Sequence, residues 1–235
     1  MASLGDRAAM APDRHPGGAV SQTGQFETDT SDMAAVHRAI RGGLDAAPDY
    51  VAAATDPARV EVVGSFYDNL IEFLHVHHQG EDEILYPLLE QRCPHERESL
   101  ELIDAQHRLL EEPMGEVRGA IAAWRAAPSE ATSRAVIDAI ARVDEILTPH
   151  LADEEALVVP LASAHLSAEE WGQLPAHAMQ AFSGDKPWLG FGLVFEQFDD
   201  DQRERIAAGM PDPVREMLVT QWMPAFDAFI AEVRA

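Results

Sequence analysis

The sequence contains very little cysteine and few basic residues, and each shortage excludes a class of protein or site. Among 235 residues there is one cysteine, Cys93, so the chain can form neither an internal disulfide nor a cluster of thiolate metal ligands. Lysine and arginine number 17 against 41 aspartates and glutamates, which gives a formal net charge of -24. Because such an acidic surface repels nucleic-acid phosphates and anionic lipid, the sequence predicts neither a nucleic-acid partner nor a membrane partner.

Long apolar runs and strand patterns are also missing. The segment from Met1 to about Gln25 lacks the continuous apolar stretch of a signal peptide, and no later run approaches transmembrane length, which predicts a cytoplasmic protein. Aromatic residues make up 7% of the chain, and β-branched residues show no sustained alternation. Alanine, leucine, glutamate and arginine are plentiful. This composition favours helices over strands and predicts an all-α fold.

Apolar residues at three- and four-residue steps predict four amphipathic helices between residues 31 and 165. Short connections between such helices are typical of an antiparallel up-and-down four-helix bundle, which is the architecture we expect. Proline inside a helix removes a hydrogen bond, so we expect a kink at Pro113 in the third helix. The first helix is predicted to begin near Ser31, and the others to span about 55–92, 96–127 and 129–165.

Two flanking segments differ from the bundle pattern. Residues 1–30 are rich in Gly, Pro, Ser and Asp without periodicity, which predicts a flexible leader. Residues 166–235 contain three of the four tryptophans and open with a capping-box pattern at Ser167 and Glu170. We expect this part to form a C-terminal helical extension that packs on the bundle. Its predicted elements are a loop at 184–190 and helices at about 200–208 and 213–234.

The most informative motif occurs twice. Residues 77–88 and 150–161 both follow the pattern His-x-x-x-Glu-acidic-x-aliphatic-aliphatic-x-Pro-Leu. Each copy is preceded by one histidine on the previous helix: His37 lies 40 residues before His77, and His107 lies 43 residues before His150. The chain is therefore a duplicated helix pair, in which each half carries one histidine and one His-x-x-x-Glu.

This spacing suits metal binding. Residues four apart on a helix share one face, with Cβ atoms about 5–6 Å apart, so each histidine–glutamate pair can bind one metal ion or two adjacent ions. In an antiparallel bundle the two pairs and the two lone histidines converge at one level of the core. Four imidazoles and two carboxylates without thiolate suit iron, and less specifically manganese or zinc. Because two carboxylates can bridge two cations, the set favours a dinuclear centre.

Over about residues 31–165 the chain resembles the hemerythrin-like, or HHE cation-binding, family, and Pro87 and Pro160 also match that family's pattern. The resemblance implies two non-haem iron ions joined by an oxo or hydroxo bridge. The carboxylates would bridge the irons, the histidines would cap them, and an open coordination position would take O2, peroxide or nitric oxide. The residues that carry the resemblance, and that it implies as metal ligands, are His37, His77, Glu81, His107, His150 and Glu154.

One position departs from the oxygen-carrying hemerythrins. Those proteins have a second histidine four residues after the third-helix ligand, where this chain has Glu111. We expect Glu111 to be either a further metal ligand or an outward-facing carboxylate. A centre with fewer imidazoles and a third carboxylate would be more anionic, which stabilises ferric iron and weakens reversible O2 binding. The sequence therefore predicts redox chemistry or sensing rather than O2 transport.

Other polar residues near the motifs are expected to support the ligands. On a helical wheel His75 and His78 lie about 160° and 100° from His77, which predicts surface or supporting positions for them. Tyr86 is expected to be a packed residue or a hydrogen-bonding neighbour of the centre. The acidic residues predicted to be solvated, or to accept a hydrogen bond from the outer nitrogen of a ligand histidine, are Asp82, Glu83, Asp153 and Glu155.

Three functions fit these observations. The first is a di-iron protein that reacts with or senses O2, peroxide or nitric oxide, or that responds to iron. The second is a di-iron oxidoreductase of oxidase, peroxidase or catalase-like type that acts on an organic substrate. The third is an iron-dependent signalling or interaction module. The second requires an apolar route to the metal, and the residues expected to contribute to it are Phe182, Trp188, Phe191 and Phe195.

Overall fold

The computed structural model describes residues 26–235, which form helices and connecting turns and contain no strand. The predicted all-α fold is therefore confirmed. Short π turns, in which a backbone N–H bonds to the carbonyl five residues earlier, interrupt the helical run. Up to residue 165 the helices are α1 (Ser31–Asp45), α2 (Ala47–Ala53), α3 (Pro57–Gly80), α4 (Tyr86–Arg92), α5 (Arg97–Ala126), α6 (Glu130–Asp153) and α7 (Val159–His165).

Local sequence signals define the ends of the long helices. The Asp56 carboxylate accepts the backbone N–H groups of Ala58 and Arg59, at 2.9 and 3.0 Å, which satisfies donors that the first turn of α3 leaves free. Pro57 occupies the first helical position, where its missing N–H costs nothing. Ser129 caps α6 in the same way. A short helix, α2, forms between the predicted first and second helices. Helix α5 contains Pro113, as the predicted third helix does, and the kink expected there stays a prediction.

The helices α1, α3, α5 and α6 pack against one another. Between α3 and α5 the ion pairs run in opposite order along the two helices, since Arg125 contacts Asp68 whereas Arg118 contacts Glu72. Only residues 127–129 separate α5 from α6, and these two helices share an extensive interface. Neighbouring long helices therefore run antiparallel where these contacts define them, and the complete up-and-down order of four helices stays a prediction.

Two apolar clusters fill the interior and leave a polar level between them. Each of the four long helical runs supplies side chains to both clusters, one cluster on each side of its histidine. The spacing follows from the helical period, because residues three or four positions apart lie on the same face. The flanking pairs are Met33 and Ile40 around His37, Leu74 and Leu85 around His77, Ile103 and Leu110 around His107, and Leu147 and Val158 around His150.

Both copies of the duplicated motif contain a π turn that begins at the motif's glutamate. The turns are Glu81–Leu85 and Glu154–Val158, and in each the N–H just beyond the turn bonds to the glutamate's carbonyl. Pro87 and Pro160 follow directly. Because proline lacks an N–H and its ring crowds the carbonyl four residues earlier, one extra residue in the preceding turn relieves the clash. The repeated proline thus accompanies a repeated irregularity at the site.

The C-terminal residues form further helices that pack on α1 and α3. Helix α9 (Gln173–Ala181) lies against α3, and α10 (Trp188–Phe195) contacts α1, α3 and α13 (Met223–Val233). The Trp171 side chain is buried, and its Nε1–H donates to Asp32 at 3.0 Å. The predicted capping box at Ser167 and Glu170 is present. These helices are α8 (Ala168–Trp171), α9 (Gln173–Ala181), α10 (Trp188–Phe195), α11 (Asp200–Gly209), α12 (Asp212–Met217) and α13 (Met223–Val233), with a third π turn at Leu218–Trp222.

The predicted leader is only partly described. Its residues 1–25 lie outside the described residues. Residues 26–30 run beside the end of α7, where the N–H groups of Phe26 and Thr28 donate to the carbonyls of Ala164 and Ser163. Within residues 26–235, none of the helices has both the length and the apolar character that crossing a membrane requires.

Candidate metal centre

The structure brings the six predicted ligands together at the polar level between the two apolar clusters. The glutamates are only 1% exposed, and His37 and His150 are fully buried. His77 keeps 9% of its side-chain surface. Each of the four long helical runs contributes one histidine, and the two runs with the duplicated motif add one carboxylate each. The six residues are His37, His77, Glu81, His107, His150 and Glu154.

Distances between carboxylates and imidazoles in this cluster fit shared metal ligation better than hydrogen bonding. Glu154 Oε2 lies 3.4 Å from His150 Nε2 and 3.6 Å from His37 Nε2, and Glu81 Oε1 lies 3.6 Å from His77 Nε2. These separations exceed ordinary hydrogen-bond lengths. Ligand atoms that each lie about 2 Å from one ion are themselves roughly 3–4 Å apart. The observed distances therefore suit atoms arranged around a cation.

Both glutamates also reach across the cluster to His107. Glu81 Oε2 is 3.7 Å and Glu154 Oε1 is 3.8 Å from His107 Nε2. The other oxygen of each carboxylate faces a different histidine. Each glutamate thus stands between two groups of imidazoles, which is the position that a carboxylate bridging two cations would occupy.

His78, predicted to lie at the surface or behind the ligands, is buried inside the cluster. It is 4% exposed, its ring stacks on His107 with centroids 4.1 Å apart, and it meets His150 edge-on at 5.1 Å. Among the described residues, three groups of candidate ligand atoms have members within 4.8 Å of one another, and two of them lie inside the cluster, whereas the third pairs His107 with the outer carboxylates of Asp82 and Asp104. Of the two inside the cluster, one contains His37, His77, Glu81 and Glu154, and the other contains His78, His107 and His150.

Glu111 lies outside the cluster. Its side chain is 61% exposed and contacts His75 Nδ1, 3.4 Å away on the outer side of α3. A step of four residues turns a helix about 40° past a full turn, so residues four apart share a face only approximately. On α5 that turn places His107 in the interior and Glu111 at the surface beside α3. The glutamate that replaces the oxygen carriers' histidine therefore faces away from the six converging ligands.

Three of the histidines predicted as ligands form hydrogen bonds through the ring nitrogen that faces away from the cluster. The Nδ1 atom of His37 lies 2.9 Å from Glu155 Oε1, and that of His107 lies 2.6 Å from Asp82 Oδ1. The Nδ1 atom of His150 lies 2.9 Å from a side-chain oxygen of Gln106. With Nδ1 of each ring facing outward, each Nε2 atom points into the cluster. Two of the four acidic residues predicted to be solvated or supporting thus support ligands directly.

Of the remaining neighbours, Asp153 and Glu83 do not contact the cluster, whereas Tyr86 does. Asp153 accepts a hydrogen bond from Gln106 at 3.3 Å, and Glu83 accepts one from Gln79 at 2.9 Å. The buried Tyr86 hydroxyl donates to Glu154 Oε1 at 2.8 Å. Burial raises the pKa of Tyr86, so the hydroxyl stays protonated and remains a donor. Tyr86 therefore binds the Glu154 oxygen that does not face His150.

The electrostatics of the cluster favour a bound cation. Burial lowers the pKa of His77 to about 3 and that of His150 to about 4, which keeps both imidazoles neutral with a free lone pair. Burial, together with the negative charge of Glu154, raises the pKa of Glu81. Burial alone would lower the pKa of His107, but its hydrogen bonds to Asp82 and Glu154 outweigh this and raise it to about 10. The raised pKa values of Glu81 and His107 both show that the cluster stabilises added positive charge.

Several buried polar atoms of the cluster have no hydrogen-bond partner among the described residues. Leaving such an atom unsatisfied costs about 1–3 kcal/mol. Their concentration in one cluster, on groups that donate lone pairs, indicates that together they bind a ligand of positive charge. The atoms are His37 Nε2, His77 Nε2, both ring nitrogens of His78, Glu81 Oε2 and Glu154 Oε2.

Comparison with known protein families agrees with the donor set. The family model of the hemerythrin HHE cation binding domain matches residues 28–170, which is more than half of the chain and includes the whole cluster. The predicted family is thereby confirmed. Neither the curated proteins nor the solved structures gave a match.

Proposed function

We propose, because the chain belongs to the hemerythrin HHE cation-binding domain family, that its buried cluster binds two iron ions. The observation that carries the proposal is the division of the ligand atoms into two adjacent groups with a glutamate facing both. The proposed ligands are His37, His77, His78, Glu81, His107, His150 and Glu154.

A di-iron centre at this place would supply electrons to, or bind, a small ligand such as O2, peroxide or nitric oxide. The chain's own residues prepare the site. The outward hydrogen bonds of His37, His107 and His150 fix which nitrogen faces the irons. The apolar clusters on both sides exclude bulk water. We therefore propose that the protein reacts with or senses one of these small molecules, or responds to iron itself.

The donor set supports a broader range of chemistry than the sequence alone predicts. The expectation of a more anionic centre rests on Glu111, which is exposed, whereas the buried His78 adds a fifth imidazole. Five imidazoles and two carboxylates give a nitrogen-rich site. The argument against reversible O2 binding therefore loses its basis, and the response of the diferrous protein to air becomes the informative measurement.

An oxidoreductase acting on an organic substrate is the second candidate function. It is favoured by a large apolar cavity whose wall includes His77 and Glu81. Three of the four aromatic residues predicted to form an apolar route line this cavity, namely Phe182, Phe191 and Phe195. The fourth, Trp188, is absent from its lining and packs on Phe229.

Metal analysis tests the main proposal. After anaerobic loading with ferrous iron and removal of free metal, we expect about two irons per chain, the stoichiometry that a bridged dinuclear site requires. His150→Ala should lose most of this iron, because His150 lies in the cluster and contacts Glu154. His95→Ala is the matched control, since His95 is exposed and lies outside both ligand groups.

The same preparations separate the possible outcomes. Iron bound to wild type and to His95→Ala but not to His150→Ala supports the proposal. A wild-type protein that stays free of iron, or a His150→Ala protein that binds as much iron as wild type, contradicts it. Loading with manganese or zinc in competition with iron then tests metal preference.

A further inference from the structure

The cavity beside the cluster is large and almost wholly apolar. Its volume is about 560 Å³, and it lies between α1, α3 and the C-terminal helices. His77 and Glu81 form part of one wall, so the space reaches the proposed metal ligands. Side chains that represent the apolar lining are Phe73, Leu174, Phe182, Phe191, Met217 and Trp222.

The C-terminal helices form one side of this partly open space without filling it. Helices α9, α11 and α12 have no fully buried residue, although their apolar side chains line the cavity. Helix α10, by contrast, packs closely on α3 and α13. The hydrogen bond from Trp171 to Asp32 fixes the start of the C-terminal part against α1. An apolar pocket of this size that is partly open to solvent has the dimensions and access that a ligand requires.

The size and lining of the cavity define its occupant. A diatomic molecule needs roughly the space of one water, about 30 Å³, whereas pockets for drug-sized ligands measure about 300–1,000 Å³. The carboxylates that border the cavity are those of Asp32 and Glu81, and Asp32 already accepts the Trp171 N–H. With a net charge of -24 on the whole chain, an anionic ligand would be repelled.

We propose that this cavity binds a neutral, apolar organic molecule of drug-like size and holds it against His77 and Glu81. The molecule's placement beside a reactive metal rests on the proposed di-iron function, whereas its binding to the cavity does not. If the second candidate function holds, this molecule belongs to the substrate class of the enzyme.

Two fluorescent probes that share one aromatic skeleton test the proposal on the full-length, metal-free protein. N-phenyl-1-naphthylamine is neutral, and 8-anilinonaphthalene-1-sulfonate carries a sulfonate. We expect the neutral probe to bind saturably with one site per chain and a dissociation constant on the order of micromolar. The anionic probe should bind at least about tenfold more weakly, because the acidic chain repels it. Absence of saturable binding, or equal affinity for both probes, overturns the proposal.

A matched pair of variants locates the probe. Val214 lines the cavity, whereas Val219 is 62% exposed and is not part of its lining. Val214→Phe should weaken binding of the neutral probe by about tenfold, because the ring occupies the ligand's space, whereas Val219→Phe should leave it unchanged. Circular dichroism checks that both variants fold. If Val214→Phe does not fold, Ala178→Phe on α9, which also lines the cavity, replaces it. Folded Val214→Phe or Ala178→Phe protein with unchanged affinity contradicts this location.

Iron loading tests the position next to the cluster. Bound iron should quench the neutral probe, because His77 and Glu81 belong to the cavity wall. Unquenched fluorescence in protein that contains iron overturns the placement. The two proposals can fail separately. Protein that binds the probe but no iron contradicts the di-iron function alone, and protein that binds iron but no probe contradicts the cavity ligand alone.

Discussion

At the level of single residues, His77 and His78 show that two adjacent residues of one helix can both point into the same buried cluster. The two side chains lie 100° apart around α3, yet His77 faces Glu81 and His78 stacks on His107. A narrow core accepts one of two adjacent residues. The cluster proposed to bind two ions is wider, so both neighbours can point into it.

This geometry explains which ligands the sequence predicts. The duplicated His-x-x-x-Glu motif predicts four of the proposed ligands, and order along the helices predicts His37 and His107, because the repeat is visible in the sequence alone. His78 has no counterpart in the second copy, where Leu151 occupies the equivalent position. The direction of Glu111 depends on the rotation of α5 about its axis, which spacing alone does not define.

The contribution of His78 can be measured against its neighbour His75. His78→Ala should lower bound iron from about two ions per chain toward one, because it removes one of three imidazoles from the second ligand group. His75→Ala should keep both ions, because His75 is 38% exposed and contacts only the surface residue Glu111 among acidic groups. A folded His78→Ala protein with wild-type iron content and optical spectrum would show that His78 is not a ligand.

At the level of elements, α10 is a helix that the sequence pattern does not predict, since residues 184–190 are expected to form a loop. Residues Trp188–Phe195 include two glycines, Gly190 and Gly192, and glycine in a helix interior costs about 1 kcal/mol relative to alanine. The structure explains their use. A Cβ on Gly192 would lie 2.2 Å from the buried Phe226 ring, and one on Gly190 would lie 2.4 Å from Phe73. Glycine lowers the helix propensity of α10 but allows close packing against Phe73 and Phe226. A local sequence pattern does not show such contacts between distant residues. The long helices are easier to predict because their caps and periodicity agree.

Alanine substitutions at two glycines distinguish the effect of helix propensity from the effect of close packing. Gly192→Ala should destabilise the protein by on the order of 1–2 kcal/mol, because overpacking against Phe226 outweighs the gain in helix propensity. Gly119→Ala on α5 is the control, since a Cβ there meets nothing within 4 Å, and it should stabilise by about 0.5–1 kcal/mol. Urea unfolding of both variants measures the difference. Stabilisation by both substitutions would show that α10 does not approach α13 so closely.

At the level of the whole molecule, the cluster connects all four long helical runs and places two carboxylates in a chain that already carries a net charge of -24. Cations can therefore stabilise the fold in two ways. Specific ions bind the cluster and compensate its buried charges, and any ion screens repulsion between surface carboxylates. Specific binding requires the cluster, whereas screening of the surface carboxylates does not.

Thermal unfolding separates the two effects. Ferrous iron at 100 times its dissociation constant should stabilise the folded state by about 2.7 kcal/mol, because only the folded chain assembles the ligands. For a protein of this size that is a rise in Tm of roughly 5–10 °C. Magnesium at the same ionic strength should give a much smaller rise, since it prefers oxygen ligands and keeps its water, and the cluster offers mainly imidazoles. His150→Ala should respond to iron no more than to magnesium, while His95→Ala should respond as wild type does. Equal stabilisation of wild type by iron and by magnesium would mean that iron acts only by screening surface charge. The cluster would then not contribute to the stabilisation.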